Sequence, residues 1–228
     1  MSAYRQKKIA MINDLSGYGR CSLTVAIPIL SAMKVQCCPI PTSILSNHTG
    51  FPVYFFDDYT EKMGEFIHKW KELELTFDGI VSGFLGSEAQ IEIVMDVIRQ
   101  FGQEDTKVII DPIMGDHGET YATYTPAMCS RMKELVSMGD IVTPNLTEAC
   151  ILTGRTYRKD GWSRKELGQL AGEIQAMGPE CVIITGVNQG GYIMNVVAEG
   201  ERTAFPRTRR VGHELSLIHI SEPTRHSL

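Results

Sequence analysis

Six short clusters hold the residue types from which a reaction could be built. Asp111-Pro112-Ile113-Met114-Gly115-Asp116 sets two carboxylates around a turn. Phosphoryl transfer needs the phosphate charge neutralised, usually by Mg²⁺ held on one or two carboxylates plus waters and phosphate oxygens. Asp111 and Asp116 suit that work; the plain alternative is an Asp-Pro that opens a solvated turn. Thr143-Pro144-Asn145-Leu146-Thr147-Glu148 reads two ways. Asn145 with Glu148 three residues on makes a capping box, and a helix N-terminus facing a crevice also binds anions. In Asn13-Asp14-Leu15-Ser16-Gly17-Tyr18-Gly19 the glycines allow close approach of a ligand, and Asp14 or Ser16 could bond a polar ring or only cap a helix. Ser46-Asn47-His48-Thr49-Gly50-Phe51 is dense in donors and acceptors that could serve a ligand or their own loop. Ser82-Gly83-Phe84 and Thr185-Gly186 each end an apolar run, and Phe84 could face a ligand or the core.

These clusters need elements to position them, and the pattern alternates strand and helix. Strands are expected at Lys8–Ile12, Phe77–Val81, Lys107–Ile110, Asp140–Thr143 and Cys181–Thr185. Helices are expected over Ser22–Met33 (bent near Pro28), Asp57–Leu75, Glu88–Phe101, from Pro126 behind a Thr125 cap to Met138, over Asn145–Leu152, and from a Ser163/Glu166 capping box to Met177. Val35–Leu45 leans to β but carries Pro39 and Pro41, which suits an edge or lid strand. Gly191–Ala198 and Arg202–Phe205 read as a hairpin across Glu199-Gly200. Strands spaced by helices imply an α/β fold, a doubly wound and mainly parallel sheet flanked by helices. Ligands in such sheets sit beyond the carboxyl ends of the strands. Asp14, Ser82, Asp111, Thr143 and Thr185 all fall there, and this convergence is the main argument for a site.

Composition narrows the class. The 228 residues are 43% hydrophobic and 21% charged, ordinary for one globular domain. A net charge of −5 gives no basic footprint for nucleic acid. No apolar run is long enough to span a bilayer, and Met1–Lys8 lacks a signal-peptide core, so a cytoplasmic protein without membrane contact is expected. The six cysteines have neither zinc nor disulfide spacing and read as reduced small side chains.

Taken together, the motifs from Asn13, Ser46, Asp111 and Thr143 resemble the pyridoxal/pyridoxamine kinases of the ribokinase-like superfamily. The resemblance implies ATP-dependent phosphorylation of the 5′-hydroxymethyl of a B6 vitamer, with Mg²⁺ and a monovalent cation as a further candidate. It implies that Asp14 and Ser16 hold the pyridine ring, that Thr49 contacts the substrate, that Asn47 and His48 shape the pocket, and that Phe84 packs near the ring. It puts Asp111, Tyr121, Thr143, Thr185 and Gly186 at the nucleotide, with Tyr121 in a flap over it. It gives Asp116, Asn145 and Glu148 to the metal and its water shell, and brings Arg207, Arg209 and Arg210 near the adenine side. A homodimer is implied, with the proline-bearing edge near Val35–Leu45 a contact. Hydroxymethylpyrimidine kinase is the nearest rival; a non-catalytic B6-vitamer or nucleotide binder is the alternative of another class.

The resemblance runs from about Lys8 to Glu214, and residues 1–214 are read as one kinase domain. Its family carries the catalytic base in a Gly-Thr-Gly-Asp turn, and none occurs here. That aspartate takes the proton from the substrate hydroxyl while its turn donates N–H groups to the phosphate. The chain is therefore expected to be inactive as given, since a general base alone contributes roughly 10²–10⁴-fold, and to aggregate through exposed sheet surface. Residues 215–228 fit neither helix nor strand and resemble the translated read-through of a sequencing adapter.

Overall fold

The computed structural model of the chain describes residues 5–210. The segment from Leu215, read above as foreign, lies outside them. In chain order the elements are β1 (Lys8–Tyr18), α1 (Ser22–Ala32), β2 (Gln36–Asn47), β3 (Phe56–Asp58), α2 (Thr60–Glu72), β4 (Gly79–Ser82), α3 (Glu88–Phe101), β5 (Lys107–Ile110), β6 (Gly115–Asp116), β7 (Glu119–Thr120), α4 (Pro126–Val136), β8 (Ile141–Val142), α5 (Leu146–Thr153), α6 (Arg164–Gln175), β9 (Cys181–Gln189), β10 (Tyr192–Glu199), β11 (Arg202–Ala204) and β12 (Arg207–Arg209).

The large sheet runs β11-β10-β9-β8-β5-β4-β1-β2-β3, with β12 also on β10. Pairings from β2 through β1, β4, β5 and β8 to β9 are parallel. The margins are antiparallel, β3 on β2 and β10 on β9. This is the doubly wound, mainly parallel sheet expected. The chain leaves β1 toward β2 on one side and returns to β4 on the other, so the order reverses between β1 and β4. That is where ligands collect in open α/β sheets.

Helix faces follow from spacing. In α3, Ile91, Val94, Met95, Ile98 and Phe101 repeat at helical intervals and are all buried. Each large apolar side chain so enclosed stabilises the fold by about 1.5–3 kcal/mol. Ser87 caps α3 by accepting Gln90 N–H at 3.2 Å, and Thr125 caps α4 by accepting Met128 N–H at 3.1 Å, with Pro126 in its first turn. Both predicted capping boxes, Asn145/Glu148 and Ser163/Glu166, are complete. Gly154 ends α5 in the left-handed region at φ 73°, where a Cβ would be strained.

At the amino ends of the strands one device occurs twice. Asp78 stands just before β4; its N–H donates to Lys8 O at 2.8 Å while its carboxylate accepts Lys8 N–H at 2.9 Å. Asp140 stands just before β8; its N–H donates to Val108 O at 2.8 Å and its carboxylate accepts Val108 N–H at 2.7 Å. Their carbonyls accept from the strand on the other side, Lys107 N–H and Cys181 N–H. Each aspartate thus stitches three strands in register.

Several boundaries differ from the sequence reading. β1 does not stop at Ile12 but runs through the Asp14 motif to Tyr18, bulging between Asn13 and Leu15, because β2 pairs with it as far as Asn47. The motif is strand, not turn. β2 has the expected edge character over its first half. Gln36 N–H donates to Lys7 O, so positions 37, 39 and 41 point away from β1. Pro39 and Pro41 therefore forfeit no ladder bond. β3 covers only Ser43–Leu45 and takes the start of the helix expected from Asp57. β9 extends to Gln189, and β12, in the arginine cluster, was not anticipated. No helix among the described residues is long and apolar enough to cross a membrane, and the six cysteines are unbridged.

Candidate active site

Beyond the carboxyl ends of β5 and β8 lies a carboxylate floor. Asp111 follows β5 directly and takes a hydrogen bond from the Thr143 hydroxyl, which follows β8. Burial pushes the Asp111 carboxyl up to about 6, against that bond. Glu148, 3% exposed, sits in the first turn of α5. Its Oε2 accepts Asn145 N–H at 2.7 Å and its Oε1 accepts Met114 N–H at 3.2 Å. Burial first, then the charges of Asp111 and Asp116, raise its carboxyl to about 8 despite those two bonds. The capping reading and the site reading of this motif are the same geometry: the cap aims Glu148 at the Asp111 turn.

The β6–β7 hairpin forms a flap held against α5. Asn145 Nδ2 donates to Gly115 O at 2.8 Å, and Gly118 N–H donates to the Thr147 hydroxyl at 2.9 Å. Gly118 has φ 90°, and a Cβ there would meet the Tyr157 ring at 2.5 Å. Asp116 receives His117 N–H at 2.7 Å and stays partly exposed. Tyr121, just past the flap, is pushed up to about 12 by burial and then by Asp116, Glu148 and Asp111, which places its phenol in the field of all three. Thr185 closes the group, bridging to Asn145 and donating its N–H to Pro144 O at 2.8 Å. Gly186 is exposed at φ 71°, its N–H bound to Asn195 Oδ1 at 3.2 Å. The nucleotide and metal residues read from sequence therefore converge.

The residues assigned to the ring gather around the β1–β4 reversal. Asn13 Oδ1 accepts both Asp14 N–H at 3.0 Å and Phe84 N–H at 2.9 Å, tying β1 to the segment after β4. Gly83 is required there, because a Cβ would lie 2.3 Å from Asn13 Nδ2. Asp14 and Ser16 are buried, and the Ser16 hydroxyl donates to Asp14 Oδ2 at 3.0 Å. Phe84 is half-buried and outside the core cluster, and its carbonyl accepts the Thr42 hydroxyl at 3.0 Å.

In the second motif the roles separate. His48 is buried; its ring accepts Gly50 N–H at Nδ1 and packs on Phe51 at 4.6 Å. Asn47 is engaged in its own loop, with Nδ2 donating to Val53 O at 2.9 Å. Thr49 is exposed. Sequence reasoning assigned no role to Asn13, Thr147 or Cys21. The first two lie inside motifs already singled out. The Cys21 thiol bonds Ser16 beside Asp14, and nothing in its spacing signals this.

Among the described residues no three His, Cys, Asp or Glu side chains make a complete metal cage. Mg²⁺ with a nucleotide does not need one, because waters and phosphate oxygens fill its shell. The donor set does fit a cation: the Asp111 charge helps to raise Glu148, and no Lys or Arg among the described residues pairs with them or with Asp116.

Known proteins share the family and the fold. The model of the phosphomethylpyrimidine kinase family matches residues 30–214. A Bacteroides thetaiotaomicron protein assigned as a phosphomethylpyrimidine kinase is 41% identical, with a TM-score of 0.89 over 92% of this chain and 74% of its own. A second crystal form of that protein contains pyridoxal. The pyridoxal kinase of Lactobacillus plantarum is 26% identical, with a TM-score of 0.83 over 91% of this chain and 74% of its own. Pyridoxal kinase of Ovis aries is 29% identical over 160 residues, 63% of this chain and 47% of that one. The chain spans about half the length of the curated relatives it matches first, 47% and 50%.

Proposed function

The chain belongs to the phosphomethylpyrimidine kinase family, with a ribokinase-like fold, and from that premise we propose that it works in ATP-dependent phosphorylation of the 5′-hydroxymethyl group of a B6 vitamer. The observation that carries this reading is the Asp111–Glu148 pair, Glu148 buried and Asp111 half-buried, with no Lys or Arg partner among the described residues, beside a helix N-terminus and under a flap. Two neighbouring carboxylates held away from water are costly alone and favourable beside Mg²⁺–triphosphate.

In this reading Asp116, Asn145 and Glu148 hold the metal's water shell, and Asp111 faces the phosphates with Thr143 and Thr185. Bound Mg²⁺ supplies neutralisation of the phosphate charge. Gly186, in the left-handed region, lets the backbone approach a phosphate. The flap, pinned by Asn145 and Thr147, covers the nucleotide with Tyr121 and excludes water. Asp14, Ser16, His48, Thr49 and Phe84 orient the ring so that its hydroxymethyl meets the γ-phosphate. Asn47 supports them by holding the 47–53 loop.

The test is to give the purified chain Mg-ATP with pyridoxal, pyridoxamine or hydroxymethylpyrimidine, measuring binding by calorimetry and phosphorylated product by mass spectrometry. Binding of Mg-ATP and a B6 vitamer is expected. Failure to bind either overturns the reading. Binding without product makes the chain as given a non-catalytic binder. Tighter binding of hydroxymethylpyrimidine favours the second reading, supported by the family match and the Bacteroides relative.

The proposal extends to a homodimer. Tyr18, Ile44, Val53, Tyr54, Phe55 and Phe56 are all exposed on the projecting ends of β1 and β2, the loop between β2 and β3 and the start of β3. Such a patch marks an interaction surface. It includes Ile44, inside the Val35–Leu45 stretch favoured from sequence, and continues beyond it. Sedimentation of the chain against Phe55→Glu checks it, with a monomeric variant expected.

A further inference from the structure

Asp14 is a buried carboxylate with no cationic partner among the described residues. It is 7% exposed. Its Oδ2 accepts one hydroxyl, from a Ser16 that is fully buried. No Lys, Arg or His among the described residues forms an ion pair with either oxygen. The carboxylate is also held in place. Asp14 N–H is bound by Asn13 Oδ1, which is fixed in turn by Phe84 N–H and by the close approach of Gly83. Cys21, beside Ser16, closes the side toward α1. An ionised group so enclosed costs stability unless something brings it a positive partner. The ring-binding end of the crevice is where that partner would arrive.

We propose that Asp14 selects ring alcohols that carry a cationic N–H, on the ring or on an aminomethyl arm, over neutral rings of the same shape. This rests on the B6-vitamer reading above and names the chemistry that reading leaves open. A cationic N–H donates to the free Asp14 oxygen while Ser16 keeps the other. A neutral isostere strips the carboxylate of water and returns nothing, and sites built around a buried polar group reject such analogues strongly. Ser16 alone would accept or donate to either kind of ring. The added carboxylate is what makes the choice one of charge.

The experiment is calorimetric binding to wild type and Asp14→Asn with four ligands. Pyridoxine brings a basic ring nitrogen only, and pyridoxamine a ring nitrogen plus an amine. A benzene-ring analogue with the aminomethyl group brings the amine only, and the same analogue without it is neutral. Wild type is expected to bind the neutral analogue at least tenfold more weakly than pyridoxamine, and Asp14→Asn to close that gap by losing affinity for the cations alone. If pyridoxine keeps the advantage, the ring nitrogen is the partner; if only amine carriers keep it, the aminomethyl group is. Wild-type affinity should also fall as pH rises through the ligand's own pKa, a slope absent from Asp14→Asn. Equal wild-type affinity for charged and neutral ligands overturns the proposal, and that comparison needs no variant to fold. So does an equal loss for all four ligands in Asp14→Asn, which would make Asp14 a structural residue. If wild type binds no vitamer at all, the kinase reading falls and this proposal with it.

Discussion

Two ends of one sheet treat the same side chain in opposite ways. At the amino ends, Asp78 and Asp140 are saturated: each accepts a backbone N–H of the neighbouring strand and a lysine. Lys7, the Lys8 N–H and Arg5 hold the Asp78 carboxyl well below the usual carboxylate range. At the carboxyl ends, Asp14, Asp111 and Glu148 have hydroxyl or backbone donors but no cationic side chain among the described residues, and Asp111 and Glu148 are pushed up instead. The contrast separates residues that hold the fold from residues that wait for a ligand. A carboxylate matched by the protein stabilises it, and one matched only by a ligand costs stability until the ligand arrives.

The sharpest way to break this contrast is Asp111→Asn. If Asp111 waits for a cation and phosphates, the variant should bind Mg-ATP about 100-fold more weakly, a loss of about 2.7 kcal/mol, as calorimetry would show. The ligand-free variant should melt at or above the wild-type temperature, because a half-buried charge is gone. A loss of stability with affinity intact would mean that Asp111 belongs with Asp78.

Asp78→Ala is the converse. It leaves the Lys8 N–H without its carboxylate partner and releases Lys7 and Arg5. A hydrogen bond to a charged, largely buried group puts the cost at about 2 kcal/mol, read as a shift in the denaturant midpoint. Vitamer and nucleotide affinities should not change.

The pH dependence of stability should divide along the same line. Asp78 has a depressed folded value, so its stabilisation is present above its unfolded value near ~3.9 and is lost as pH falls through the folded one. Asp111 and Glu148 have raised folded values. In the ligand-free protein their share is full below the unfolded values and is lost as pH rises through about 6 and then about 8. Unfolding followed from pH 5 to 9 should show stability falling by of order 1 kcal/mol per pH unit near neutrality. Glu148→Gln should flatten the upper part. A curve that rises over this range would contradict the electrostatic picture of the floor.

How much of this was legible beforehand follows from how local each signal is. The caps of α4 to α6 and the strand cores were readable because Thr125-Pro126, Asn145/Glu148 and Ser163/Glu166 act within a few residues of themselves. The convergence of Asp111, Thr143 and Thr185 was readable because a parallel sheet puts every strand end on one side. Legibility failed where pairing overrides local pattern. Gly17 and Gly19 looked like a turn after Ile12, yet β2 zips β1 out to Tyr18. Asp78 and Asp140 stood in plain view just before two strands and drew no notice. Their role lies in backbone bonds to Lys8 and Val108, distant in sequence, which no spacing rule reports. Asn13 was hidden the same way, inside a motif whose interest seemed to lie with its neighbour.

The smallest effect tests what the amino-end stitches are made of. Lys107 lies 3.4 Å from Asp140 and 3.8 Å from Glu180, and its side chain is 59% exposed. Exposed pairs of this kind are screened by water and pay for ordering a long side chain, so each contributes at most about 0.5 kcal/mol. The Val108 N–H bond to Asp140 carries no such discount, because the donor sits in a strand whose other partners are already fixed. Lys107→Ala should therefore shift the denaturant midpoint barely beyond error, and not at all in molar salt. Asp140→Ala should cost about 1 kcal/mol at either salt concentration. Equal losses from both variants would mean that the lysine, not the strand-to-strand bond, holds this end of the sheet.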